Sequence, residues 1–185
     1  YQENSENRSD GEMFTYNDII IPDGDLSSNG EWTDKTLYTS NGDNAVYISN
    51  DEKNLYVMAK IVQNAQSPVY NIKIECDGET YWLYYMSNGY VYFNKGDYTG
   101  CICKHVGDYV EYVIPFDVIR LETGKSLSSV RVFVQDSSVT GWTNVGDLKG
   151  GEYTINENFD VYTACRDINL KENESFNLNV ETSLK

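Results

Sequence analysis

Glu75-Cys76-Asp77-Gly78-Glu79 sets three carboxylates at i, i+2 and i+4. On one straight strand such residues share a face, as the paired carboxylates of a sandwich-fold glycosidase do. Asp77-Gly78, however, lies between two strand-like runs, which is a hairpin signal of the type I′ kind. A chain that folds back there leaves Glu75 and Glu79 flanking a tip, not lining a cleft. His105 is the only histidine, and no Ser-His-Asp set assembles around it. No glycine loop suited to cradling phosphate is present. The expectation is a domain that turns over no substrate.

The aromatic residues offer a different chemistry. Sugar rings carry C–H groups on their faces, which stack on flat aromatic rings, while the hydroxyls need amides and carboxylates around them. Tyr81-Trp82-Leu83-Tyr84 alternates, so Trp82 and Tyr84 share one face of a strand. After Ser87-Asn88-Gly89, a turn signal, Tyr90 and Tyr92 oppose Val91 and Phe93. If Val91 and Phe93 are core, Tyr90 and Tyr92 are exposed beside Trp82 and Tyr84. Trp142 follows a polar loop, where function tends to sit. Gln135, Asp136 and Asn144 are near it in sequence and could meet hydroxyls. The spacing therefore predicts an aromatic platform of Trp82, Tyr84, Tyr90, Tyr92 and Trp142. The plain alternative is that either tryptophan is ordinary core.

Asp23, Asp25, Ser27, Asn29 and Asp34 offer alternating oxygens to a hard cation. Ser28 stands where an EF-hand loop needs glycine, so that loop type does not apply. A structural calcium ion on Asp23 and Asp25 remains an expectation, against a solvated acidic turn. Haem held by His105 with Met58 or Met86 is a lesser reading, since a lone histidine in a strand is usually structural. Of Cys76, Cys101, Cys103 and Cys165, Cys101 and Cys103 stand two apart on one strand face and are poorly placed to pair. Buried free thiols are the plain reading of all four.

Strands must position these groups. Leu55, Val57, Ala59 and Ile61 point one way, as do Tyr70, Ile72, Ile74 and Cys76, then Val110, Tyr112, Ile114 and Phe116, then Val130, Val132 and Val134. One apolar and one polar face per strand predicts antiparallel sheets packed face to face. Turn signals at 77–78, 87–89 and 95–97 predict a four-strand meander over 69–104. Pro115-Phe116-Asp117-Val118-Ile119 suits one helical turn. No window holds a sustained helical period. The fold class is all-β, a two-sheet antiparallel sandwich of jelly-roll or lectin-like kind. Residues 1–12, polar and charged with no apolar period, are expected to be a disordered lead-in, and 13–185 a single sandwich domain. Phe176, Leu178 and Val180 suggest one more strand before a linker.

The chain of 185 residues carries a formal net charge of −15 and 16 tyrosines. That charge opposes nucleic-acid phosphates and anionic lipid, and it tolerates neutral partners such as sugars. No stretch approaches the ~20 apolar residues that span a bilayer. Opening on Tyr1-Gln2-Glu3-Asn4, the sequence reads as a mature or trimmed chain, and a secreted or cell-surface setting is expected.

Three stretches resemble the CBM9-like carbohydrate-binding modules and the related DOMON domains. Ile21-Pro22-Asp23-Gly24-Asp25-Leu26, followed by Trp32, is similar to that family's opening. Val46-Tyr47-Ile48-Ser49-Asn50-Asp51-Glu52-Lys53-Asn54-Leu55-Tyr56-Val57 is similar to its second hairpin, and Tyr109-Val110-Glu111-Tyr112-Val113-Ile114-Pro115 to a later strand end. The stretches keep their order over about residues 15–160. Trp32 lies further from Asp23-Gly24-Asp25 than is usual, through the insertion Ser27-Ser28-Asn29-Gly30. The resemblance implies a β-sandwich that binds glycan chains or their ends, often with structural calcium, attached to polysaccharide-degrading enzymes or scaffolds. The combined expectation is a monomeric, non-catalytic module binding polysaccharide or oligosaccharide, first of all starch or cellulose. A structural or adhesive module without a sugar site is the alternative, and a small glycosidase is a third.

Overall fold

Strands Asn54–Lys60 (β3), Pro68–Cys76 (β4), Tyr109–Pro115 (β8) and Ser129–Asp136 (β10) carry the most regular apolar alternation, and they form the middle of two sheets. A computed structural model describes Trp32 and residues 36–121 and 125–156 of the chain. These residues belong to one of two units into which the chain divides, Thr15–Phe159; the other comprises Tyr1–Phe14 and Asp160–Lys185. The lead-in, the expected strand at Phe176, Leu178 and Val180, and Cys165 lie outside the described residues.

The first sheet is completed by Leu37–Asn41 (β1), Asn44–Asn50 (β2) and Ile102–Val106 (β7), in the order β1-β2-β3-β8-β7. The second adds Glu79–Met86 (β5), Val91–Phe93 (β6) and Thr143–Lys149 (β11), in the order β11-β10-β4-β5-β6. Ser126–Leu127 (β9) and Tyr153–Thr154 (β12) form a small separate pair. Every pairing is antiparallel. Among the described residues there is no α-helix. The protein is an all-β, two-sheet antiparallel sandwich.

The core lies where the alternation placed it. Leu55, Val57, Ala59 and Ile61 are fully buried and meet Tyr70, Ile72, Ile74, Val130, Val132 and Val134 of the other sheet. Each such aliphatic side chain contributes roughly 1.5–3 kcal/mol by leaving water. Tyr112 is also fully buried, yet its hydroxyl has no hydrogen-bond partner among the described residues. An unmet buried hydroxyl costs more than it returns. Tyr112→Phe should therefore raise unfolding stability by about 1 kcal/mol, read from urea denaturation midpoints at unchanged slope. A loss of stability would mean that the hydroxyl is bonded in solution.

Three local expectations are corrected. The meander ends after β6: β7 pairs with β8, in the opposite sheet. The segment after Phe93 turns at Gly96 (φ 96°) and Gly100 (φ 84°), then crosses the sandwich edge instead of closing a hairpin. A Cβ on Gly100 would meet Pro115 at 3.1 Å, so the crossing chain hugs the end of β8. Residues 116–120 form successive turns, not an α-helical turn. Val118 N–H donates to the Pro115 carbonyl at 3.0 Å and Leu121 N–H to the Phe116 carbonyl at 3.0 Å, with Arg120 at φ 51°. Finally, Glu111 faces away from the core but is fully buried, its carboxylate taking the Trp32 indole N–H at 3.3 Å. Trp32, left without a role by the sequence, covers that face and lies beside Tyr47.

Candidate functional site

The face of the second sheet turned away from the core can be built row by row from strand register. Phe133, Asn71, Tyr84 and Tyr92 stand directly opposite one another across β10, β4, β5 and β6. The next row runs Lys149, Arg131, Lys73 and Trp82. On the other side lie Asn144, Gln135, Val69 and Met86. Because Tyr70, Ile72, Ile74, Leu83 and Phe93 point into the core, period-two alternation sends their neighbours to this face.

Tyr84 is the hub of an aromatic cluster. Its ring stacks on Tyr92 at 4.8 Å and 21°, and meets Trp142 edge-on at 5.6 Å and 83°. Trp82 is tilted against it at 5.8 Å and Tyr90 at 6.2 Å. All five rings expected from the sequence thus converge. They do not tile a flat platform, as expected, because the rings interlock at steep angles. Tyr90 is the most open, at 53% exposure, and the other four are half-buried. Burial raises the Tyr84 hydroxyl pKa, helped by the charges of Tyr90 and Tyr92 and by a hydrogen bond with Tyr90.

Each ring has a local reason for its place. The Trp82 indole N–H donates to the Asn71 side-chain oxygen at 2.9 Å, and Asn71 donates in turn to the Val69 carbonyl at 3.0 Å. Asn94 extends the pairing past the end of β6, accepting Trp82 N–H through its side chain at 2.9 Å and donating its own N–H to the Trp82 carbonyl at 3.0 Å. Tyr90 is delivered by the turn closed between Met86 and Tyr90, with Gly89 at φ 87°. Trp142 has φ 48°, a left-handed conformation that costs a bulky residue on the order of 1–3 kcal/mol. Its contact with Tyr84 helps hold that conformation.

Asp136 acts on the loop that carries Trp142. Its carboxylate accepts N–H groups from Gln66 at 3.0 Å, Ser67 at 3.1 Å and Ser138 at 2.9 Å. The Gln66 N–H and then Ser138 are the main reasons that its pKa falls to about 2. Both oxygens are spent on backbone, so Asp136 clamps two loops rather than offering itself to a hydroxyl. A depressed pKa means that the clamp contributes fully above the unfolded value of about 4 and is lost as pH falls towards 2. Asp136→Asn should flatten the acid limb of stability between about pH 4 and pH 2, measured by denaturation across that range. An acid limb identical to wild type would contradict the clamp. Gln135 lies in register with Asn144 and Val69. Its side-chain oxygen is closed off from solvent and has no hydrogen-bond partner among the described residues.

The other candidates separate. Asp77 and Gly78 have φ of 51° and 77°, as a type I′ hairpin requires. Glu75 stands opposite Thr80 and Glu79 opposite Cys76, so the two glutamates lean to opposite faces of the hairpin. Glu75 bonds Ser129 and Lys149, Asp77 bonds Lys125, and Glu79 bonds Lys95. His105 stacks on Tyr70 at 4.6 Å, on the core face of its sheet, and burial lowers its pKa. Met58 projects from the opposite face, so no His–Met haem pair forms with it. Cys76, Cys101 and Cys103 are free thiols, and Cys101 and Cys103 are only partly buried. Asp23 and Asp25 lie outside the described residues, and among those described no acidic, histidine or cysteine cluster suits a metal ion.

Sequence reasoning missed Asn71, Lys73, Arg131 and Phe133 as part of this surface. The alternation did mark Asn71, Lys73 and Arg131 as the polar side of their strands. It could not say that β4 runs between β5 and β10.

No protein-family model matches the sequence, and no curated protein matches it. Among solved structures the chain is similar to a carbohydrate-binding module of family 9 (CBM9) from Caldicellulosiruptor kristjanssonii in complex with cellotriose. The TM-score is 0.47 at 16% identity, over 83% of this chain and 96% of that one.

Proposed function

We propose that this domain is a non-catalytic carbohydrate-binding module of a secreted or cell-surface polysaccharide-degrading protein, and that it holds glucan chains of starch or cellulose type. The observation that carries the reading is the convergence of Trp82, Tyr84, Tyr90, Tyr92 and Trp142 on the solvent-facing side of one sheet. Aromatic side chains that fill no core but cluster on a rigid face suit a ligand with an apolar face and polar edges. Trp142 standing upright against Tyr84 makes a step, against which one sugar ring can stack while its hydroxyls reach Asn144 and the tyrosine hydroxyls. Affinity from so open a surface is weak, and attachment to a many-armed polysaccharide strengthens it through multivalency.

A structural or adhesive role is the second reading. The interlocked rings and the Trp82 N–H bond to Asn71 favour it, since both also describe a surface cluster that stabilises its own sheet. Calorimetry with maltohexaose and cellohexaose separates the two. Binding by the wild type that weakens at least tenfold in Trp82→Ala or Trp142→Ala, with folding verified by circular dichroism, supports the module. No heat with either sugar at millimolar concentration turns the assignment to the structural role.

A further inference from the structure

The row beside the aromatic cluster is basic in an otherwise acidic protein. Lys149, Arg131 and Lys73 stand side by side across β11, β10 and β4, and the row ends on Trp82. Arg131 is committed to Asp147, with its Nε donating to Oδ1 at 2.8 Å. Lys149 reaches Glu75 at 3.4 Å. Lys73 is different: among the described residues no carboxylate pairs with it. Glu75, two residues along the same strand, feels its charge but spends its oxygens on Ser129 and Lys149. The Lys73 ammonium is held instead between two rings, 4.5 Å from the centroid of Trp82 and 5.6 Å from that of Phe133.

Two cations directly opposite on adjacent strands repel, and Arg131 and Lys73 are such a pair. Cation–π contact offsets part of that repulsion and fixes the ammonium at the edge of the aromatic cluster. An anion arriving there relieves the rest. The protein as a whole carries −15, which repels a dense polyanion. Beyond about 8 Å, however, physiological salt screens that field. An isolated carboxylate docked there therefore responds mainly to Lys73 itself, since Arg131 and Lys149 are already paired with Asp147 and Glu75.

We propose that the site recognises a sugar chain bearing isolated carboxylates, such as a mainly neutral glycan with single uronate units, and that Lys73 receives the carboxylate while the aromatic cluster holds the ring. This rests on the glycan reading above and makes it more specific. Binding would be measured for cellohexaose and maltohexaose, each against its counterpart in which one C6 hydroxymethyl group is a carboxylate. The wild type should prefer the carboxylated form by about three- to tenfold at physiological ionic strength, with the preference shrinking as sodium chloride is raised towards 1 M, where the Debye length falls to about 3 Å. Lys73→Gln should remove the preference, while Lys73→Arg should keep it. Equal affinity for both forms, or preference for the neutral one, overturns this proposal and leaves the glycan reading standing. A preference that survives Lys73→Gln overturns the role of Lys73. Binding of none of the four sugars removes both readings. The salt dependence of the wild type tests the charge contribution even if a variant fails to fold.

Discussion

Tyr84→Ala should all but abolish glycan binding, with a larger loss than either tryptophan substitution. Tyr84 is the one ring that touches the other four. Removing Trp82 or Trp142 deletes one wall of the site. Removing Tyr84 lets Tyr92, Tyr90 and Trp142 relax into the space it leaves, so every stacking surface shifts at once. A hub residue of this kind costs roughly 2–4 kcal/mol on truncation, or about thirty- to thousandfold in Kd. The fold should survive. Tyr84 is half-buried on the outer face, and its cross-strand ring contacts are each worth about 1 kcal/mol or less. Calorimetry on a variant of normal circular dichroism is the measurement, with Tyr84→Phe as the control that keeps the ring. If Tyr84→Ala binds as the wild type does, the cluster is not the sugar site.

Gly150→Ala should destabilise the domain by about 3 kcal/mol, a larger effect than most single methyl additions. The residue follows β11, and its φ is unremarkable. Its constraint is space. A Cβ there would run into the Tyr38 ring, inside van der Waals contact with three of its carbons. Tyr38 cannot yield cheaply. Its hydroxyl donates to the Gly151 carbonyl and accepts Val130 N–H at 3.0 Å, and its ring packs edge-on against Tyr153 at 6.3 Å. This one side chain ties the edge strand β1 of the first sheet to β10 of the second. Displacing it adds lost hydrogen bonds, roughly 1 kcal/mol each, to the steric strain. A drop of around 10 °C in melting temperature is expected. In a Tyr38→Ala background the same Gly150→Ala change should cost less than about 1 kcal/mol, because the clash has gone. Equal costs in both backgrounds would place the penalty in the backbone.

These two positions mark how far local sequence reaches. Tyr84 was legible: its face follows from the alternation through Tyr81, Trp82 and Leu83, and its hairpin partner from the turn at Ser87-Asn88-Gly89. Gly150 reads only as a glycine between a strand and a polar stretch. What excludes a Cβ there comes from Tyr38, more than a hundred residues earlier.

By itself the sequence determined which side of each strand is apolar, and hence the all-β sandwich and its core. It also determined the type I′ hairpin at Asp77-Gly78 and the outer face shared by Trp82, Tyr84, Tyr90 and Tyr92. Those features depend on period-two alternation and on turn residues whose backbone preferences act within a few positions. Tertiary structure alone decided the rest. It sent β7 to the opposite sheet, set β10 beside β4 so that Lys73 and Arg131 face each other, and tilted the rings into a cluster instead of a plane. It also gave Asp136 to the loop amides and Glu111 to Trp32. Such pairings are chosen by the packing of whole sheets, in which a strand accepts whichever neighbour buries the most apolar surface and leaves the fewest polar groups unmet.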